Sequence, residues 1–126
     1  MSDPTETPSR NVLGDTLIPC STDPMTGFYR DGCCNTGSDD GGVHTVCCVM
    51  TEDFLDFSLS QGNDLITAMP AFGFPGLRPG DRWCLCASRW VEALSASCAP
   101  HVVLAGTHEK TLQYTTLDTL RAHAVE

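Results

Sequence analysis

The chain has 126 residues, the size of one domain that can bury a hydrophobic core of its own. Its 16 acidic and 7 basic side chains give a formal net charge of −9, which disfavours nucleic-acid binding through a basic patch. The longest apolar run, VCCVM at 46–50, is far shorter than the roughly 20 residues that a membrane span requires. We therefore predict neither a nucleic-acid nor a membrane partner, and leave a small-molecule or protein partner open.

The N-terminal segment MSDPTETPSR is polar and rich in proline, serine and threonine. It lacks the basic start and apolar stretch of a secretory signal. We predict a disordered tail over 1–10, a single domain over 11–126 and a cytoplasmic location, where thiols stay reduced. Eight cysteines in that setting favour metal binding, catalysis or packing over a disulfide framework.

The first half of the domain predicts one strand and one helix between long connections. Residues 11–20 suggest a short extended segment with a turn, and residues 21–42 form a long loop rich in turn-forming residues. The β-branched and apolar run at 43–51 predicts a central strand. Thr51 then predicts the N-cap of a helix over 52–61.

The second half continues this mixture after another glycine- and proline-rich connection at 62–83. The pattern predicts further elements: a strand at 82–87, a helix at 88–97, a strand at 101–106, a strand at 111–115 or a helical turn at 107–112, and a last helix capped by Thr116. We predict an α+β fold with a sheet of three to five strands and about three helices. Strand–helix alternation favours some parallel pairing.

Cys84 and Cys86 form a C-x-C pair in a predicted strand. Because side chains alternate along a strand, both sulfur atoms should project from the same face. Two thiolates on one face can bind one metal ion, but two small hydrophobic side chains can equally line a core. The pair therefore favours either a metal site or packing.

The predicted central strand carries His44, Cys47 and Cys48. Simple alternation places His44 and Cys48 on one face and Cys47 on the other. Imidazole and thiolate together are zinc ligands, although a single histidine is more commonly structural. We interpret Cys48 and Cys98 as core residues, and the cysteine before the long loop, Cys20, as a loop anchor.

Cys33 and Cys34 are adjacent in the long loop. They could be metal ligands, a strained vicinal disulfide, or one reactive thiol beside a packed one. For nucleophilic catalysis, Cys34 could be activated by His44 or His108 with help from Arg30. Carboxylates or an amide that orient such a site could come from Asp31, Asn63 and Asp64, although Asp31 and Asp64 are more simply interpreted as turn formers.

Several distinctive strings extend across the domain, among them RDGCC, HTVCCVMTEDFLDFS and GDRWCLCA. In these the chain resembles, over roughly residues 11–124, the bacterial and plant family known as domain of unknown function 2237. The resemblance implies a small two-layer sandwich and no established activity or cofactor. The family pattern includes eight residues of this chain, Cys20, Cys33, Cys34, Cys47, Cys84, Cys86, His44 and His108, and does not require Cys48 or Cys98.

These observations lead to three hypotheses. The first is a Cys/His-rich protein that binds zinc or iron through a ligand set drawn from the long loop and two predicted strands: Cys84, Cys86, Cys33, Cys34 and His44. The second is a thiol redox or cysteine-nucleophile enzyme in which Cys33 or Cys34 reacts. The third is an interaction module whose cysteines are buried filler. The sequence alone leaves open whether the protein is an enzyme.

Overall fold

The computed structural model describes residues 9–125, so the predicted disordered tail falls largely on residues 1–8, outside this range. Within the described residues the chain forms three strands, β1 (His44–Val49), β2 (Arg82–Cys86) and β3 (His101–Val102). It also forms three α-helices, α1 (Glu52–Ser60), α2 (Ala87–Ser95) and α3 (Leu117–Ala122), and short 3₁₀ helices at Pro70–Phe72, Leu104–Gly106 and Glu109–Gln113. The predicted α+β fold is confirmed.

The sheet has the order β2-β1-β3, and both strand pairs are antiparallel. The expectation of parallel pairing is therefore wrong for the sheet, although one isolated parallel bridge joins Val102 and Ala124. The pairing of β1 with β2 contains an irregularity between His44 and Val46. A β-bulge of this kind inserts one extra residue and changes which side chains share a face.

The helix starts follow the capping signals in the sequence. The Thr51 hydroxyl accepts a hydrogen bond from the Phe54 amide at 3.2 Å at the start of α1. Thr116 caps α3 in the same way, accepting from the Thr119 amide at 3.1 Å. Helix α2 begins directly after β2, without an intervening loop, and Cys86 is both the last strand residue and the N-cap.

The two faces of the sheet are covered differently. Helices α1 and α2 lie on the face that holds the main apolar core, where Val46, Cys48 and Leu85 are almost completely buried. The opposite face carries a second buried cluster, made by Cys20, Cys34, Cys47, Cys84 and Val103. The loop that precedes β1 supplies two of these cysteines, so this loop covers part of that face, together with the 3₁₀ helix at Leu104–Gly106, next to Cys47.

Two predicted strands are shorter or absent. The run at 101–106 forms strand only at His101–Val102, because the chain then turns into Leu104–Gly106, with Gly106 donating to the Val103 carbonyl at 3.1 Å. Residues 109–113 form a 3₁₀ helix, which confirms the alternative of a helical turn in this region. In the described part of the chain, no helix is both long and apolar enough to cross a membrane.

Candidate functional site

Two disulfide bonds fix the loop before β1 to the sheet. Cys20 bonds to Cys47 of β1, and Cys34 bonds to Cys84 of β2, with Cα–Cα distances of 5.7 and 5.3 Å. The expectation that these thiols stay reduced is therefore wrong in this structure. Of the possibilities left open for Cys33 and Cys34, the vicinal disulfide is not formed, since Cys33 is free while Cys34 is bonded to Cys84. Cys20 does anchor the loop, as predicted.

The β-bulge in β1 corrects the predicted distribution of side chains on that strand. His44 pairs with Cys86 and Cys47 pairs with Cys84, so His44 and Cys47 both lie opposite the C-x-C residues. Cys48 instead pairs with Trp83 in the apolar core. Simple alternation was wrong because the extra residue at the bulge shifts the phase between His44 and Cys47. The interpretation of Cys48 as a core residue is confirmed.

His44 and Cys86 are brought together as cross-strand partners at the end of the sheet. A Cβ atom placed at Gly42 would lie 3.2 Å from Nε2 of His44 and 3.3 Å from the Cys86 sulfur, so these two atoms border the same small space. The other ring nitrogen, Nδ1, lies 2.6 Å from Oδ1 of Asp40, so Nε2 is the nitrogen left to face the sulfur. Phe28 stacks on the imidazole with ring centroids 5.8 Å apart, which restricts the ring further. The result is an ordered thiol–imidazole–carboxylate series.

Asp40 is the member of this series that the sequence analysis missed. Its side chain is completely buried, and it accepts hydrogen bonds from the His44 amide at 2.9 Å and from the Thr36 hydroxyl at 3.0 Å. It lies in SDDGG, a string that also describes an ordinary turn, so only its position four residues before His44 hinted at a role. Asp31 and Asp64, by contrast, accept from nearby amides as turn residues do.

The electrostatics of the series favour a charged imidazole. The hydrogen bond with Cys86 raises the pKa of His44, burial opposes this, and the hydrogen bond to Asp40 adds to it, giving a pKa of about 9. Burial alone would raise the pKa of Asp40, but the hydrogen bonds from His44 and Thr36 outweigh it and hold that pKa below its usual value. An ionised Asp40 therefore faces a protonated His44 at neutral pH.

The backbone holds the two halves of the site together. Val43, just before His44, has a φ of +50°, a left-handed conformation that is strained for a β-branched residue. Its carbonyl accepts hydrogen bonds from the amides of Thr45 and Ala87, both at 2.9 Å. Because Ala87 follows Cys86, this contact fixes the start of α2 against the strand that carries His44.

A cavity of about 340 Å³ opens beside these residues along β2. This volume suits one small molecule. Its walls come from the loop before β1, from β1 and β2, and from the connection after α1, and the lining includes Phe28, Arg30, His44, Asn63, Trp83 and Cys86. The thiol and the imidazole thus lie at a concave surface.

The family model described as "Uncharacterized protein conserved in bacteria (DUF2237)" matches residues 10–124. The chain belongs to this family. Its membership confirms the resemblance seen in the sequence, and the family description assigns no activity to the site. A search of the curated proteins finds no match to the chain.

The five residues predicted as metal ligands occupy three different settings. Cys34 and Cys84 are bonded to each other, Cys86 and His44 form the pair described above, and Cys33 is a free, half-buried thiol. Within residues 9–125, one group of three potential ligands has its ligand atoms within 4.8 Å of one another: Cys20, Cys34 and Cys47. Of these, only Cys34 belongs to the predicted set. That group could hold a metal ion, but its disulfides favour a structural role.

Cys33, Cys48 and Cys98 are the remaining free thiols among the described residues. Burial and the charge of Asp31 raise the pKa of Cys33, and burial and Asp53 raise the pKa of Cys98. Burial raises the pKa of Cys48 well above its usual value. Such shifts disfavour the reactive thiolate. Cys34, the other predicted nucleophile, is bonded to Cys84 and has no free thiol.

Proposed function

We propose that the protein is a cysteine-nucleophile enzyme in which Cys86 attacks an electrophilic carbonyl carbon of a small substrate. One observation carries this proposal: Cys86 faces an imidazole whose opposite nitrogen is held at 2.6 Å by the buried carboxylate of Asp40. A nucleophile, a base and a group that orients the base are the minimum set for this chemistry. The roles are nucleophile for Cys86, acid and base for His44, and orientation for Asp40.

The first half of the reaction is acylation of the sulfur. The reactive form of the pair is a Cys86 thiolate beside protonated His44, in which the thiol proton is held at Nε2. The thiolate forms a bond to the carbonyl carbon, and the carbonyl π electrons move to its oxygen. When the carbonyl re-forms, the bond to the leaving group breaks, and the leaving group takes the proton from His44.

The second half returns the enzyme to its starting state. Neutral His44 removes a proton from a water molecule as the water oxygen attacks the thioester carbon. Collapse of this intermediate releases a carboxylic acid and the Cys86 thiolate beside protonated His44. No oxidant or reductant is needed. Asp40 stabilises the imidazolium in both halves and keeps Nδ1 protonated, so that Nε2 is the nitrogen that exchanges protons.

The position of Cys86 at the junction of β2 and α2 supports this chemistry. A helix presents unpaired amides and a positive dipole at its N-terminus, which stabilises negative charge on a nearby sulfur or oxygen. Among the described residues, no side chain caps this end of α2. The amide of Ala87 donates to Val43, so the amides after it in the first turn are those that can stabilise the oxyanion that develops during attack.

An activated ester tests the proposal directly. p-Nitrophenyl acetate should give a burst of p-nitrophenol equal to the enzyme concentration, and mass spectrometry should find the acetyl group on Cys86. The internal control is Cys33, a half-buried free thiol in the same protein with a raised pKa. Absence of a burst, or acetyl groups spread equally over Cys33 and Cys86, would contradict the proposal.

A second candidate function is metal binding by the reduced chain. The three sulfur atoms within 4.8 Å of one another support it, since reduction would add the nearby Cys84 as a fourth thiolate. Four buried thiolates suit a structural zinc site, and iron also takes thiolate ligands. The ligand set predicted from the sequence, with Cys33, Cys86 and His44 in place of Cys20 and Cys47, remains a competing prediction.

Metal content after anaerobic purification distinguishes these two ligand sets. Cys20→Ser should abolish stoichiometric zinc or iron if the buried sulfur cluster binds the metal, whereas Cys33→Ser should leave it unchanged. The reverse result would favour the set predicted from the sequence. Substoichiometric metal in all three proteins, with chelators leaving thermal stability unchanged, would contradict metal binding by either set.

A further inference from the structure

The wall of the cavity beside Cys86 has a charge opposite to that of the protein as a whole. The chain carries a formal charge of −9, yet among the described residues that line this cavity there is no aspartate or glutamate. Arg30 and His44 are the basic residues on the wall. A cavity without acidic groups in so acidic a protein points to a ligand that carries negative charge.

Arg30 is held in a position suited to binding an anion. Its guanidinium carbon lies 5.3 Å from the centroid of the Trp83 ring, a cation–π contact. Trp83 is in turn packed edge-on against Phe74, with centroids 5.3 Å apart, so the platform beneath the guanidinium is fixed. The backbone of Arg30 has a φ of +55°, an uncommon conformation for a residue other than glycine, and it lies at the wall of the cavity.

Within residues 9–125, no carboxylate forms an ion pair with Arg30, whereas His44 pairs with Asp40 and Arg89 pairs with Glu92. Stacking on Trp83 uses the face of the guanidinium and leaves its N–H groups at the edge free to bind. Those N–H groups match the two oxygens of a carboxylate. The arginine can therefore form a bidentate pair with a ligand in the cavity.

We propose that the substrate of Cys86 is a small carboxylate-bearing carbonyl compound, with its carboxylate bound by Arg30 and its apolar part lying between Phe28 and Trp83. This inference rests on the proposed function of Cys86. The charge on the ligand follows from the charges at the site: protonated His44 is balanced by the ionised carboxylate of Asp40, 2.6 Å away. Arg30 is left as a single positive charge, which matches one carboxylate better than a doubly charged phosphate.

Paired alkylating reagents test this assignment without knowledge of the natural substrate. Iodoacetate carries the proposed carboxylate and iodoacetamide is its neutral counterpart, so the ratio of their rates at Cys86 measures recognition of the anion. We expect this ratio to exceed the ratio at Cys33 by on the order of tenfold, the effect of one cation a few ångströms from the reagent. The difference should decrease with added salt.

The variant for this test is Arg30→Asn, because asparagine accepts a left-handed backbone. It should lower the iodoacetate rate at Cys86 by about tenfold and leave the iodoacetamide rate unchanged. The matched control is Arg121→Gln, which removes the same charge from α3, away from the cavity lining, and should leave both rates unchanged. An unchanged iodoacetamide rate also shows that the site remains folded.

Three other outcomes would overturn the inference, and they can be told apart. In the first, Cys86 reacts rapidly with iodoacetamide but shows no preference for iodoacetate, or shows a preference that Arg30→Asn does not change. This result would contradict the carboxylate assignment and still support Cys86 as the nucleophile. Failure of Cys86 to react with either reagent would remove both proposals. In the third, inorganic phosphate protects Cys86 from alkylation better than acetate does at the same ionic strength, and this protection is lost in Arg30→Asn. That result would assign a phosphate-bearing ligand instead.

Discussion

Cys84 and Cys86 lie two residues apart on one strand, yet their surroundings give them different chemistry. Cys84 is in the middle of β2, 2% exposed and bonded to Cys34. Cys86 ends the strand, is half-buried, and faces His44 at a cavity. The same residue type is structural where the strand is covered and available for reaction where the strand ends. Position along the strand, and not the C-x-C spacing, decides the role.

The sulfur cluster and the site depend on each other through the loop before β1. The disulfides attach both ends of residues 20–34 to the sheet, and this segment carries Phe28 and Arg30. The bonds close loops with sequence separations of 27 and 50 residues. By the chain-entropy estimate they contribute about 3.5 and about 4 kcal/mol to the free energy of unfolding. The structural cysteines thereby position the wall of the cavity.

Replacing Cys84 and Cys86 by alanine, one at a time, should distinguish the structural role of the first cysteine from the reactive role of the second. Cys86→Ala should abolish the p-nitrophenol burst and lower the free energy of unfolding by only about 1 kcal/mol, through the lower pKa of His44. Cys84→Ala should lower the free energy of unfolding by about 4 kcal/mol, through loss of its disulfide, while the folded fraction still reacts at Cys86. Urea denaturation and burst amplitude measure both quantities. Loss of the burst in both variants, at equal folded fraction, would refute the distinction.

Asp40→Asn should have the next largest effect. The asparagine keeps the size of the side chain but removes the charge that stabilises protonated His44. The acylation rate should fall by on the order of 100-fold, within the range for general acid–base groups. Asp39→Asn is the matched control, because Asp39 is the adjacent residue and accepts from the exposed Tyr29 hydroxyl at 2.6 Å instead. Equal loss in both variants would assign Asp40 no special role.

The sequence predicted the local elements better than the site because its signals were local. The caps at Thr51 and Thr116 and the apolar pattern of β1 each depend on neighbouring residues, and the structure confirms them. The pairing of Cys34 with Cys84 depends on how a long loop folds back, which spacing does not specify. One extra residue at the bulge reversed the predicted relation between His44 and Cys47.

The titration of His44 should show a smaller but direct effect. Its pKa of about 9 in the folded protein lies above the value near 6.5 expected when unfolded. The charged ring therefore adds stability that is fully present below pH 6.5 and is lost as the pH rises through 9. Since the side chain is 34% exposed, we expect on the order of 1–2 kcal/mol after allowance for solvent screening.

NMR of the imidazole protons measures this pKa separately from stability. In Cys86→Ala the largest cause of the shift is removed, so the pKa of His44 should fall by about one unit or more. His108 serves as the internal control, since burial lowers its pKa and it has no contact with Cys86 among those described. An unchanged His44 titration in the variant would contradict the thiol–imidazole contact.

The smallest predicted effect comes from the paired glycines before β1. A Cβ atom at Gly42 would lie 2.7 Å from Cε1 of His44 and 3.3 Å from the Cys86 sulfur, so Gly42→Ala must displace the ring. A Cβ at Gly41 would meet no atom within 4 Å, which makes Gly41→Ala a matched control. Neither glycine has a positive φ, so backbone strain does not separate the two substitutions.

The acylation rate should fall several-fold to about tenfold in Gly42→Ala, because a displacement of less than 1 Å is enough to disturb an aligned nucleophile and base. Gly41→Ala should stay within a factor of two of the parent, since an exposed substitution without new contacts has little effect. Both proteins should unfold at similar temperatures. If Gly42→Ala is acylated at the parent rate, the reaction tolerates displacement of the His44 ring from the Cys86 sulfur. The close approach of these two groups would then not explain why Cys86 differs from Cys84.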